Sequence, residues 1–174
     1  MNLQRRSILL ALGIGAALPL LQACGGGDDH EPTIVGLAAG DSRFSILLEA
    51  VTAAGLVDTL DGPGPFTVFA PTNDAFVLLL GELGLSKEAL LGNTALLTSV
   101  LTYHVVPGAL RAKDVQALPK PATVATVQGT AFTVDAELVI TDARGRKSQL
   151  VNTDLIARNG VIHAIDKVLL PPAG

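Results

Sequence analysis

The stretch "LTYHVVPGAL" (101–110) places Tyr103 and His104 side by side inside an apolar run, directly before a Pro-Gly turn. The chain holds one tyrosine and three histidines, so few of either that the pairing stands out. An imidazole can serve as general base or metal ligand, and a phenol can donate or accept a hydrogen bond. The same groups, once buried, can equally be paired structural members, because buried polar side chains normally find partners. "VIHAID" is the second candidate, with His163 and Asp166 three apart. An acid–base dyad requires those side chains to meet, and in a strand residues three apart point to opposite faces. In "PTNDAF", Asn73 and Asp74 read as a ligand-binding pair or, more simply, as the start of a helix. The helix dipole favours a carboxylate in that first turn. Cys24 is the only cysteine, which excludes an intrachain disulfide or a resolving thiol.

Other chemistries find little footing. There is no Gly-x-Ser-x-Gly elbow. A zinc site would need His104, His163 and a carboxylate to converge through folding, which their spacing does not favour. Neither a metal nor a cofactor is expected. Aromatic residues make up 3% of the chain and tryptophan is absent, which disfavours stacking platforms for sugars or single-stranded nucleic acid. The net charge of −4 makes nucleic acid an unexpected partner. "ARGRKS" (143–148) is the one concentrated positive stretch. It reads as a solvated loop that could touch an anionic polymer or headgroup.

The elements that must position these residues divide by period. Phe44, Leu47, Leu48 and Val51 fall on one face of a helix capped by Asp41 or Ser42 and closed by Gly55. "DGPGP" (61–65) forces a loop, and "FTVFA" (66–70) reads as a strand ended by Pro71. Thr72 should cap the next helix, whose face carries Phe76, Leu79, Leu80 and Leu83. Two further helices start at Ser86 and Asn93, the second bringing Leu97, Val100, Leu101 and His104 to one face. Beyond residue 121 the runs are short and β-rich, separated by turn residues. Asn159-Gly160 predicts a two-residue hairpin loop with positive φ at both positions. Helices first and strands later give an α+β domain with a mainly antiparallel sheet.

The first residues carry Arg5 and Arg6, an apolar run from Ile8 to Leu21 broken by Pro19, and then "LQAC". That is the layout of a secretory leader with a lipobox rather than a transmembrane span. The expected organisation is a leader at 1–23, a lipidated Cys24, a Gly-rich acidic tether at 24–32 and one domain at 33–172. Arg5-Arg6 fits general secretory or twin-arginine export. Gly25, rather than Asp, after the cysteine favours the outer membrane, so the chain reads as exported and lipid-anchored on the periplasmic face of the envelope.

Three stretches, "FTVFAPTNDAF" (66–76), "LLTSVLTYHVVPG" (96–108) and "NGVIHAIDKVLLP" (159–171), occur in an order and spacing that resembles a fasciclin-like domain. The resemblance implies a β-wedge or sandwich of about seven mainly antiparallel strands, with N-terminal and edge-packed helices. It also implies a non-catalytic adhesion or interaction domain, acting outside the cytoplasm. Its partner would be an envelope or extracellular protein, or a cell-surface polysaccharide, held through loops and edge strands. In animal members of the family the segment around the Tyr-His pair makes integrin contacts. Tyr103 and His104 are read here as structural, with adhesive contact the other reading. A carrier of a small apolar ligand is the alternative function, if a crevice lined by Leu, Val and Ile exists. A hydrolase would require a nucleophile, base and carboxylate to converge.

Overall fold

The structure, a computed structural model, describes residues 31–172. The expected leader, Cys24, His30 and most of the expected tether lie outside the described residues. The first helix, α1 (Ile34–Gly40), starts where the Thr33 hydroxyl accepts the Gly36 N–H. Asp41 then accepts the Arg43 N–H and opens a 3₁₀ turn (Ser42–Phe44) that runs into α2 (Ser45–Ala53). Gly55, at φ +67°, closes α2 by letting the Leu56 N–H reach Val51 O. Helix α3 (Val57–Asp61) follows, and then β1 (Phe66–Pro71), α4 (Asn73–Leu83), α5 (Lys87–Gly92) and α6 (Thr94–Tyr103). Strand β2 (Val105–Pro107) and helix α7 (Ala112–Ala117) lead into β3 (Ala122–Ala125), β4 (Ala131–Val134), β5 (Val139–Thr141), β6 (Lys147–Ala157) and β7 (Gly160–Ile165).

Two local expectations need correction. Thr72 occupies the N-cap position of α4, but its hydroxyl makes no capping bond. Along α4, Phe76 and Leu79 are buried, whereas Leu80 is half-buried and Leu83 is exposed, because the helix tip runs past the core.

The strands order as β2-β1-β7-β6-β5-β4-β3. All neighbours are antiparallel except β1 and β7, which run parallel from Phe66↔Gly160 to Pro71↔Ile165. Strand β6 belongs to both halves of the sheet. Its start pairs with β5, its end pairs with β7, and the register shifts between Leu150 and Leu155 bend it. The result is a wedge. Strand β7 is buried along its whole length, its one polar side chain, His163, included. Its alternate residues feed two cores. Ile162 and Ala164 join Phe44, Leu47, Phe76 and Leu101 under the helices, while Ile165 joins Phe69, Tyr103, Phe132 and Ile140. Four of the five phenylalanines and the single tyrosine are thus core residues, each phenylalanine contributing roughly 2–3 kcal/mol by burial. None of these five can act as a surface stacking platform.

Candidate functional site

Helix α6 ends at Tyr103, and the two neighbours diverge from there into the two cores. The His104 ring is held at both nitrogens. Nδ1 lies 2.7 Å from Val100 O, a carbonyl that can only accept, so Nδ1 carries the proton. Nε2 then accepts the Leu169 N–H at 2.9 Å. The neutral tautomer is fixed, and burial pushes the pKa down to about 4. With both nitrogens engaged inside the fold, His104 has none left for a substrate. Tyr103 stacks edge-on to Phe132, with ring centroids 6.0 Å apart. Its hydroxyl accepts the Ala143 N–H at 3.0 Å and donates to Ala131 O at 3.3 Å, and burial raises its pKa.

His163 and Asp166 stay apart. The Nε2–H of His163 donates to Leu110 O at 2.7 Å, its Nδ1 accepts the Asp154 N–H at 3.2 Å, and its ring lies against Phe69. Burial lowers its pKa. Asp166 instead accepts the Ser148 hydroxyl at 3.0 Å and the Gln149 N–H at 2.8 Å. His163 acts with two residues that the sequence did not single out. Thr67 donates its hydroxyl to Gly108 O at 2.6 Å and accepts the Leu110 N–H at 2.8 Å. Asp154, at φ +59° in the irregular part of β6, accepts the Ala112 N–H at 2.8 Å. Three strands thereby fasten the loop from Gly108 to Ala112.

Asn73 does not cap its own helix. Its Nδ2 donates to Ser42 O at 2.9 Å, while its Oδ1 accepts the Ile46 N–H at 3.1 Å. It therefore satisfies the start of α2 from the start of α4. Asp74 lies exposed in the first turn of α4, where a carboxylate complements the dipole.

The hairpin between β6 and β7 differs from expectation. Ala157 faces Gly160, so the loop residues are Arg158 and Asn159, and positive φ occurs at neither Asn159 nor Gly160. Glycine is required at 160 by space, because a Cβ there would lie 2.0 Å from Phe66 O on the parallel neighbour. Asn159 is a buried hub. Its Oδ1 accepts the Ile34 N–H at 2.9 Å, and its Nδ2 donates to Leu60 O at 2.7 Å and Gly62 O at 3.0 Å. An asparagine placed directly before a strand that is apolar but for His163 was the available signal.

The expected positive patch at 143–148 is largely consumed within the fold. Arg144 Nε donates to Pro171 O at 2.8 Å, and Arg146 pairs with Glu82. A different place gathers free charge. A cleft of about 630 Å³ opens between the "DGPGP" loop, the clamped 108–111 loop and the β6–β7 turn. Arg111, Arg158 and Asp61 line it. The apolar cavity beneath α1 and α2 holds only about 30 Å³, room for one water molecule, well below the size of a carrier site. Among the described residues, no three His, Cys, Asp or Glu side chains group as metal ligands do.

The architecture defines an α+β wedge in which inward-facing polar side chains fasten loops to strands. The FAS1 domain pair of the insect cell adhesion molecule fasciclin I has this fold, with a TM-score of 0.71 over 81% of this chain and 51% of that one, at 20% identity. The fasciclin domain model matches residues 42–171. The chain belongs to the fasciclin domain family. Its relatives include protein sll1483 of Synechocystis, 46% identical over 83% of this chain and 76% of that protein. The immunogenic protein MPB70 of Mycobacterium bovis is 34% identical over 91% of this chain and 78% of its own. The transforming growth factor-beta-induced protein ig-h3 of Sus scrofa is 39% identical over 81% of this chain, which spans 20% of that longer protein.

Proposed function

We propose that this protein is a non-catalytic adhesion or interaction domain, exported and held on the periplasmic face of the envelope, with the outer membrane favoured, by lipid on Cys24. Its partner is an envelope or extracellular protein, or a cell-surface polysaccharide. The observation that carries this reading is the internal saturation of both domain histidines. Each uses both ring nitrogens on main-chain groups of the fold. Membership of a family that includes an insect cell adhesion molecule supports the same reading. Crosslinking in intact cells, with Cys24→Ser as control, tests it. Recovery of specific envelope partners by the wild type and their loss with the unanchored variant is the expected result. Turnover of a substrate that disappears in His104 or His163 variants of unchanged stability would overturn it.

A further inference from the structure

Arginine use in this fold is uneven. Of the five arginines among the described residues, three are engaged internally: Arg43 with Asp41, Arg144 with Pro171 O and Arg146 with Glu82. The remaining two, Arg111 and Arg158, are exposed, form no ion pair among the described residues, and line the same cleft. They are 47 positions apart in sequence, so the fold alone brings them together.

Both are mounted on fixed backbone. The Arg111 N–H is taken by Asp114 at 3.0 Å, and the loop carrying it is fastened by Thr67, His163 and Asp154. The Arg158 N–H donates to Pro32 O at 3.0 Å, and the adjacent Asn159 is buried with three hydrogen bonds. The main chain is thus ordered while the guanidinium groups stay available, an arrangement that limits the entropy lost on binding. Guanidinium forks match carboxylate and phosphate oxygens.

Asp61 adds a negative charge to the cleft wall. A carboxylate on the cleft wall opposes a compact, highly charged phosphate but accepts hydrogen bonds from hydroxyl groups. Part of the main chain is closed to a peptide. Pro63 and Pro65 have no N–H, and Gly62 O, Pro65 O and Asn159 O are already bonded within the fold. A partner bearing both carboxylates and hydroxyls satisfies what remains, and it needs no aromatic platform.

We propose that this cleft binds a uronic-acid segment of an acidic polysaccharide, with Arg111 and Arg158 on carboxylates and Asp61 accepting from sugar hydroxyls. The assignment rests on the interaction reading above and names its site and partner class.

Trigalacturonate titrated into the full-length mature protein tests it, with its methyl ester, inorganic phosphate and triglutamate as comparisons. The expected result is saturable binding that weakens with salt and is lost on methyl esterification. Arg111→Gln and Arg158→Gln should each weaken it roughly tenfold or more at unchanged melting temperature, the loss of one charge-assisted contact. Asp61→Asn should weaken trigalacturonate but not phosphate. Absent binding, equal binding by the double arginine variant, or tighter binding of phosphate or triglutamate would overturn the assignment. Envelope crosslinking on the same variants separates the two readings. Envelope partners captured by a wild type that binds no uronate end the cleft assignment alone. Failure of the wild type to capture any partner ends the reading beneath it.

Discussion

The Leu169 N–H donates to Nε2 of His104 across 65 positions of chain, joining the end of α6 to the segment after β7. This bond exists only while the ring is neutral. In the unfolded chain the imidazole titrates near 6.5, whereas in the fold it resists protonation down to about 4. Between those values the unfolded state binds more protons, so stability falls as pH falls. His163 is shifted in the same direction. The loss from His104 should approach about 3 kcal/mol by the lower limit. Thermal unfolding across this range should show it, and His104→Gln, less stable at neutral pH, should show a shallower decline. Equal slopes would assign the effect elsewhere.

Tyr103 and His104 should differ in what their removal costs. His104→Ala strands Val100 O and Leu169 N and leaves a cavity, for about 3 kcal/mol. Tyr103→Phe keeps the ring and loses only two hydroxyl contacts, for about 1 kcal/mol. Chemical denaturation of both variants checks the order. A normally stable His104→Ala that no longer binds its partner would make the pair an adhesive site.

Asn159→Gly separates two roles for the β6–β7 turn. A turn that needed only backbone freedom would tolerate it. The hub seen here loses three hydrogen bonds, so about 2–4 kcal/mol should be lost. Gly160→Ala should cost about as much, because its methyl group meets Phe66 O. Melting temperatures unchanged by both substitutions would refute this arrangement.

The proposed lipidation is read out by mass. The mature wild-type protein should begin at an acylated Cys24, and Cys24→Ser should accumulate as an uncleaved or mislocalised precursor. An unmodified thiol, or cleavage elsewhere, would remove the anchor.

Much of the wedge was legible because its signals are local. The strand "FTVFA", the helix starts at Ser86 and Asn93, and the mainly apolar β7 announce themselves through alternation, caps and turn residues. Helix α1, with two glycines and only Ile34 and Ala38 buried, gives almost no periodic signal, and α3, α7 and β2 are too short to give one. The roles of Asn73 and Asn159 were illegible for another reason. Each side chain fits a local motif, a cap or a turn, yet in the fold it bonds to groups 27 or more residues away. The Arg111–Arg158 cleft could not be read from spacing either, since only tertiary contacts bring its two loops together.

The parallel pairing of β1 with β7 bears on the order in which the protein can be made. As the chain grows from its N-terminus, β1 waits for its main neighbour until nearly the whole domain has been synthesised. Pairing across so long a loop is slow, because its closure entropy must be met before the contacts form. Ribosome-stalled chains ending before Gly160 are therefore expected to be digested readily by protease, and those extended past Pro172 to resist. Such late commitment to structure leaves β1 and its neighbours exposed to chaperones and proteases until the domain is nearly complete.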